Sequence, residues 1–500
     1  MAKLTIYFTS DTHGYLYPNN FADKQPRNMG LLSMRFPKDE NTLVIDGGDT
    51  IQGSPLTYYC RLQDIELPVA QAMNDRGYDY VTLGNHDFNN GPEYLRRHLQ
   101  ALDAKCLCAN VADAENRLPV FPCAVHTLGN GLRVGLFGIV TDWVNRWEKK
   151  ENLEGLAVSD PFAAAKEAVA ALDADIIVGI YHGGIEKDLD TGRLLSQTDE
   201  NIACRLCEAL NIDLLLTGHQ HIPMAEKQWN GTHIVQTPCN SASYVKVELD
   251  ENGVWHSELC APPAQAQLTD AQQALWEDVN VWLDQPIGRL SQDIWPEDKL
   301  RMALHGSPIA DFFNTVQLWA SGADVSCAAL GNELRGFASD VTVRDVVASY
   351  IYSNTLVVLR VTGDVLKKAL EQCARYFAVD DGGHITIAES FLSPKVAHYN
   401  YDYFSGIEYA FDLARSEGER VIRMTRGGKP VLPEDEMTLC MCDYRATGAG
   451  DFDFYCDCPR EKEILTEVSE LILNYLVEHP YAEIAETHPH RTLMNGKAID

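Results

Sequence analysis

Val81-Thr82-Leu83-Gly84-Asn85-His86-Asp87-Phe88-Asn89 decides how this chain is read. Val81, Thr82 and Leu83 have the character of the end of a buried strand, and Gly84 opens a turn. The turn then offers an amide oxygen, an imidazole and a carboxylate in succession. A sharp turn at the carboxyl end of a strand is where α/β folds place ligands and chemistry. Taken alone, the run serves equally as a capped turn with a solvated histidine. Its meaning comes from what the rest of the chain repeats.

The first half repeats one pattern, a short apolar strand running into a cluster of Asp, His, Asn and Gly. Residues 4–9 lead to Ser10-Asp11-Thr12-His13-Gly14, and 43–45 lead to Asp46-Gly47-Gly48-Asp49. Residues 176–181 lead to His182-Gly183-Gly184, and 214–216 lead to Gly218-His219-Gln220-His221. Helical patterns lie between, as at 160–172 and 199–210. Near-continuously apolar strands alternating with helices predict a sheet covered on both faces, an α/β fold. A Pro/Ala-rich shift near 259–266 precedes an amphipathic helix at 269–284, which links two domains. The predicted division is 1–262, a linker helix 263–286, and 287–500. In the second part the pattern predicts helices at 307–322, 364–377 and 461–477, with strands at 355–361, 407–413 and 437–441.

Two divalent metals held close together need a bridging carboxylate, neutral nitrogen ligands and an open edge. The strand ends supply these types. Asp11 and His13 are two apart, as are His219 and His221, a spacing that points both side chains one way from an extended segment. Asp49, Asn85 and His182 complete the set. Each residue alone has an ordinary reading: Asp11 as a cap, Asp49 in an Asx-turn, His182 in a turn, His219 and His221 as a surface pair. Together they predict a dinuclear centre. Two divalent ions less two ionised aspartates leave about +2, which suits a phosphate anion and acidifies bridging water. Such ligands accept Mn, Zn, Fe or Co.

These blocks resemble the five signature blocks of calcineurin-like metallophosphoesterases: Asp11-x-His13, Gly48-Asp49, Gly84-Asn85-His86-Asp87, His182 and Gly218-His219-x-His221. The second half resembles the C-terminal domain of the 5′-nucleotidase family. The resemblance implies an N-terminal four-layer α/β sandwich followed by an α/β substrate domain. Asp49–Leu56, Tyr350–Leu356 and Tyr399–Asp402 are most similar to the 2′,3′-cyclic-nucleotide 2′-phosphodiesterase/3′-nucleotidase branch. The resemblance makes His86 the catalytic group that stabilises the transition state and helps protonate the leaving oxygen, a role suited to imidazole. Many members place an aspartate three residues on to orient this histidine. Here the position is Asn89, as in the cyclic-phosphodiesterase branch, and it adds no negative charge. Asp87 is expected to be a structural acceptor.

By the same resemblance Tyr352 and Tyr444 sandwich the base, with Asn354 nearby. Stacking on two aromatic faces contributes about 1–3 kcal/mol per base. Without the resemblance each tyrosine reads as packing. A 5′-nucleotidase typically shows Asn-Gly-Gly-Gly-x-Arg here; this chain has Leu330-Gly-Asn-Glu-Leu-Arg335. Arg335 keeps the arginine's place as a substrate-binding candidate, but the altered turn weighs against a 5′-nucleotide pose. The implied activity is hydrolysis of 2′,3′-cyclic nucleotides to 3′-nucleotides and of these to nucleosides. Substrate contacts from both domains imply an interdomain cleft and domain rotation.

Bulk properties narrow the rivals. The 41 Lys plus Arg against 72 Asp plus Glu, net −31, repel polynucleotides, and no basic stripe offers a nuclease surface. The same field repels free nucleotides, so the small nucleotide that the resemblance implies as partner needs a local positive site. A 5′-nucleotidase or nucleotide-sugar hydrolase is the nearest alternative, and a non-catalytic nucleotide-binding protein the one from another class. No apolar run approaches ~18 residues and no apolar leader precedes residue 4, so no membrane span is expected. The 14 cysteines then read as reduced cytoplasmic thiols. Their C-x-C and C-x-x-C spacings are compatible with zinc, but suit small buried side chains. Oligomeric state has no signature in the sequence.

Overall fold

In a computed structural model the described residues are 3–499 except 195–198, 353, 381, 394, 465, 486 and 487. Position 353 of the 350–356 stretch and position 465 of the expected 461–477 helix therefore lie outside them. The chain divides into two compact units, Met1–Val279 and Asn280–Asp500.

The first unit is built on two mixed sheets. In one, Leu4–Thr9, Thr42–Asp46, Tyr80–Val81 and Lys105–Leu107 run parallel. In the other, Arg133–Val140, Ile176–His182, Leu214–Thr217 and Thr232–Gln236 run parallel. The sheets share one core, Ile6, Phe8, Leu43 and Ile45 packing with Leu136, Val178, Ile180 and Leu216. The second sheet's other face, with Phe137, Ile177 and Leu215, packs on the helices Pro161–Ala171 and Ala203–Ala209. Burial on both faces explains why these strands carry little polar alternation. Asp160 starts its helix by accepting from the Ala163 N–H, with Pro161 in the first turn. Register sets up the site. Thr9 lies opposite Asp46 and Asp46 opposite Val81. His182 lies opposite Val140 and Tyr181 opposite Thr217. Each chain thus leaves its sheet at the carboxyl end of neighbouring strands.

The second unit has a five-stranded sheet in the order Asp402–Ser405, Val325–Ala329, Glu436–Cys442, Leu356–Thr362 and Arg460–Ile464. The helices Pro308–Ser321 and Val468–Glu478 contribute Phe312, Phe313, Leu471 and Ile472 to its core. The expected helix at 461–477 is corrected here. Arg460–Ile464 is a strand paired antiparallel with Leu356–Thr362, and the helix begins at Val468. Its charged composition suits a helix, but an edge strand also favours charge, and Arg360 binds Glu461 at 2.7 Å across the pair. All fourteen cysteines are free thiols.

A second five-stranded sheet holds His490, whose ring stacks on Tyr409 at 5.3 Å and whose Nε2 lies 3.1 Å from the Ala303 carbonyl. Burial pushes His490 down to about 4. The folded state then binds fewer protons than the unfolded state between about 4 and 6.5. Its contribution is therefore present above 6.5 and lost as pH falls towards 4. His490→Gln, which keeps a donor for Ala303, is expected to remove roughly 2–4 kcal/mol of that acid sensitivity. Denaturant titrations at both ends of the window measure it; an unchanged slope would contradict the assignment.

Candidate active site

The opening stretch forms a single 3-10 turn, Asn85–Phe88, directly after Gly84. Asp87 organises it. Its carboxylate accepts the N–H groups of Asp49 (2.9 Å), Thr50 (2.9 Å), Ile51 (3.2 Å) and Gly84 (2.8 Å). Two strand-end loops are thus tied together through one buried side chain. Gly84 is required by close approach, since a Cβ there would lie 2.1 Å from Asp49 Oδ1. His86 N–H donates to Asp49 Oδ1 at 2.7 Å, and its ring Nδ1 lies 2.8 Å from Asn89 Oδ1.

Two clusters of metal-competent atoms share Asp11: Asp11, His13 and His221, and Asp11, Asp49 and His182. Asp11 Oδ1 is 3.2 Å from His221 Nε2 and 3.9 Å from His182 Nε2. His182 Nε2 is 3.2 Å from Asp49 Oδ2. Asn85 joins through its Oδ1, 2.9 Å from His219 Nδ1, and the His219 N–H donates to Asp11 Oδ1 at 2.9 Å. The seven expected ligand positions are therefore drawn into one continuous group. Their backbone is not the extended one expected. Asp11 (φ 55°), His13 (φ 48°), Asp49 (φ 58°), His219 (φ 70°) and His221 (φ 59°) are all left-handed. The i, i+2 spacing converges through a pair of left-handed residues rather than through strand alternation. Each such residue costs on the order of 1–3 kcal/mol, comparable to the gain from one buried aliphatic side chain.

The donors fit divalent cations. Asp49 Oδ2 and His182 Nε2 are buried and face only each other, at 3.2 Å. Three of the four histidines use their other nitrogen on the protein. His13 Nδ1 meets Gln52 O at 2.9 Å, His182 Nδ1 meets Gly47 O at 2.6 Å, and His219 Nε2 meets Glu200 Oε1 at 2.9 Å. That pattern fixes the ring and leaves one lone pair facing inward. With Nε2 of His219 on Glu200, its inward nitrogen faces the Asn85 oxygen at 2.9 Å, and the two would serve one cation together. Electrostatics agree. Burial alone would depress His182, but Asp49 beside it drives it up to about 10. Burial likewise opposes protonation of His221, yet Cys239 and Asp11 raise it to about 9. Burial lowers His13 to about 4. Burial would raise Asp11 and Asp49, yet their histidine neighbours hold both below the usual carboxylate range. Two buried carboxylates demand positive charge, which divalent ions held by these residues would supply in place of the protons.

Several participants had no sequence signal. Glu200 fixes His219, and Trp147 stacks on the same ring at 5.4 Å. Glu148 accepts from Asn89 Nδ2 at 2.5 Å. Trp147 ends a short helix and the two glutamates lie in irregular segments, all distant in sequence from the rings and amide they touch, so no local spacing announces them.

In the second unit Leu356 lies opposite Cys442 on antiparallel strands, so the loops carrying Tyr352 and Tyr444 leave the same end. Asp443 clasps them. Its carboxylate accepts Thr355 N (3.1 Å), Thr355 Oγ1 (3.0 Å) and Tyr444 N (2.9 Å). Tyr444 meets Tyr399 edge-on at 6.4 Å. Asn354 hydrogen-bonds the Tyr350 phenol. Arg445 is buried against Asp402 at 2.8 Å and donates to the Tyr399 carbonyl at 2.8 Å. Sequence reasoning missed this clasp, although Tyr399 and Asp402 lie in a stretch it marked. Arg335 is half-buried in an irregular segment and makes no hydrogen bond or ion pair among the described residues.

Paired sheets carrying Asp, His and Asn donors at their strand ends, followed by a separate α/β unit, define a metallophosphoesterase with a second domain of nucleotidase type. Residues 4–223 match the calcineurin-like phosphoesterase family, and residues 286–456 match the 5′-nucleotidase C-terminal domain family. A solved Staphylococcus aureus protein assigned by name as a 5′-nucleotidase is 32% identical. The match covers 98% of this chain and 99% of that one, with a TM-score of 0.89. The trifunctional nucleotide phosphoesterase protein YfkN of Bacillus subtilis is 26% identical over 95% of this chain, which spans 38% of the YfkN length. The 2′,3′-cyclic-nucleotide 2′-phosphodiesterase/3′-nucleotidase of Haemophilus influenzae is 25% identical over 89% of this chain and 80% of its own. The chain belongs to the calcineurin-like phosphoesterases that carry a 5′-nucleotidase C-terminal domain, and it is a phosphoesterase. Among the described residues no helix is long and apolar enough to cross a membrane.

Proposed function

We propose that this enzyme opens 2′,3′-cyclic nucleotides to 3′-nucleotides and then removes the 3′-phosphate to release nucleosides. The observation that carries this reading is Asn89 bound to His86, the feature that the resemblance associates with the cyclic-phosphodiesterase branch. The names of the Haemophilus relative and of a Yersinia enterocolitica relative, both given this activity, support it.

Asp11, His13, Asp49, Asn85, His182, His219 and His221 hold two divalent ions in this reading. Such ions polarise phosphoryl oxygens and acidify water. His86 offers Nε2 to the leaving oxygen while Asn89 holds Nδ1. Tyr352 and Tyr444 stack the base. The functional division follows 1–262 for chemistry, 263–286 as linker helix and 287–500 for the nucleoside. Fourteen free thiols support a cytoplasmic setting.

Assays of 2′,3′-cyclic AMP, 3′-AMP and 5′-AMP on metal-stripped enzyme, reconstituted with Mn, Zn, Fe or Co, test the reading. The first two substrates are expected to exceed 5′-AMP by at least about tenfold in kcat/KM. A preference for 5′-AMP would favour the second reading, a 5′-nucleotidase, for which the Staphylococcus relative and the uncommitted Arg335 speak. Tyr352→Ala or Tyr444→Ala is expected to raise KM for nucleotides about 5- to 100-fold. Hydrolysis of bis(p-nitrophenyl) phosphate, which has no base, should be unaffected. An equal loss on both substrates would remove the tyrosines from base recognition.

A further inference from the structure

Asn89 is an amide where many family members place a carboxylate, and an amide can face His86 either way round. We infer that Glu148 is a positioning residue that selects one orientation and thereby the tautomer of His86. The inference rests on His86 being the group that acts on the leaving oxygen. Asn89 Nδ2 donates to Glu148 Oε2 at 2.5 Å, and Asn89 Oδ1 lies 2.8 Å from His86 Nδ1. A carboxylate only accepts, so the amide nitrogen must face Glu148 and the amide oxygen must face the ring. The ring then carries a proton on Nδ1 in either charge state and Nε2 is left for the substrate; only as the imidazolium, with a second proton on Nε2, does His86 give one to the leaving oxygen.

Glu148 is itself held. Its Oε1 accepts Lys149 N–H at 2.7 Å and Asn152 Nδ2 at 2.9 Å. Asn152 Nδ2 also donates to the Asn89 carbonyl at 2.7 Å, which fixes the backbone on which the amide swings. Glu148 follows the short helix Val144–Trp147, whose Trp147 stacks on His219. One loop thus braces the histidine at the leaving group and a histidine of the candidate metal centre. The orienting negative charge has moved from the third position after His86 to a segment 59 residues beyond Asn89.

The test is a swap. Glu148→Ala is expected to lower kcat about 10- to 100-fold with KM and metal content unchanged. Asn89→Asp alone sets two carboxylates in contact and is expected to be at least as impaired. Asn89→Asp combined with Glu148→Gln restores a donor–acceptor pair with the acceptor next to His86, and kcat should return to within about threefold of wild type. Nitrogen-15 histidine NMR of the zinc-loaded protein, with His86 assigned by His86→Gln, reads the tautomer directly. Wild type and the double variant should carry the neutral-ring proton on Nδ1, and Glu148→Ala should show a mixture. An unchanged tautomer and kcat in Glu148→Ala would overturn the inference, as would a double variant no better than Asn89→Asp. Should wild type turn over no phosphoester, the function proposed above falls, and the NMR comparison still decides the role of Glu148.

Discussion

Asp49→Asn is expected to lower kcat/KM on every phosphoester by about a thousandfold or more and to reduce the bound metal per chain from two towards one. Asparagine keeps an oxygen for the His86 N–H, now met by Asp49 Oδ1 at 2.7 Å. It replaces the other oxygen, buried against His182 Nε2 at 3.2 Å, by an amide nitrogen that cannot ligate a cation. The charge opposite His182 and His13 disappears as well. Several kcal/mol of charge stabilisation are at stake, and each 1.36 kcal/mol is tenfold in rate. Elemental analysis with steady-state kinetics reads both effects, and thermal unfolding reports the fold, which Asp87 secures independently through four backbone N–H groups. Full metal content with an undiminished rate would remove Asp49 from the centre.

The second large effect belongs to His86. His86→Ala should lower kcat on nucleotides by about 10²- to 10⁴-fold, the range for loss of a positioned acid. Metal content should hold, because the ring belongs to neither Asp/His ligand cluster. The loss should depend on the leaving group. A nucleoside hydroxyl needs a proton as its bond to phosphorus breaks, whereas p-nitrophenolate departs without one. A deficit that shrinks on bis(p-nitrophenyl) phosphate is therefore the signature. An equal deficit on both would make His86 a charge stabiliser alone.

Much of the phosphoesterase unit was legible because parallel strands buried on both faces are nearly unbroken apolar runs, and their polar ends stand out. Asp11, Asp49, Asn85, His182 and His219 each mark such an end. Glu148 and Glu200 were not legible, since they lie 59 and 19 residues from the side chains they orient. Nothing local separates them from the chain's many other acids. The left-handed backbone at Asp11 and His221 was hidden for a related reason. Strand alternation explained the two-residue spacing equally well, and only packing of neighbouring loops decides between the conformations. At Arg460–Ile464 helix-forming composition gave way to pairing with Leu356–Thr362, a contact made across about a hundred residues. Tyr352 and Tyr444 were nameable only by resemblance, because the Asp443 clasp that unites them is a tertiary feature.

The left-handed backbone at five of the candidate ligands also constrains how this activity can be lost in descent. Aspartate, asparagine and histidine tolerate that conformation better than most residues, and glycine adopts it freely. Valine, isoleucine and threonine do not. A lineage released from catalysis should therefore drift at positions 11, 13, 49, 219 and 221 towards glycine and asparagine rather than towards the hydrophobic residues that buried sites usually collect. Such replacements relieve strain as they silence the enzyme, so inactive descendants are expected to be more stable than the catalyst they came from.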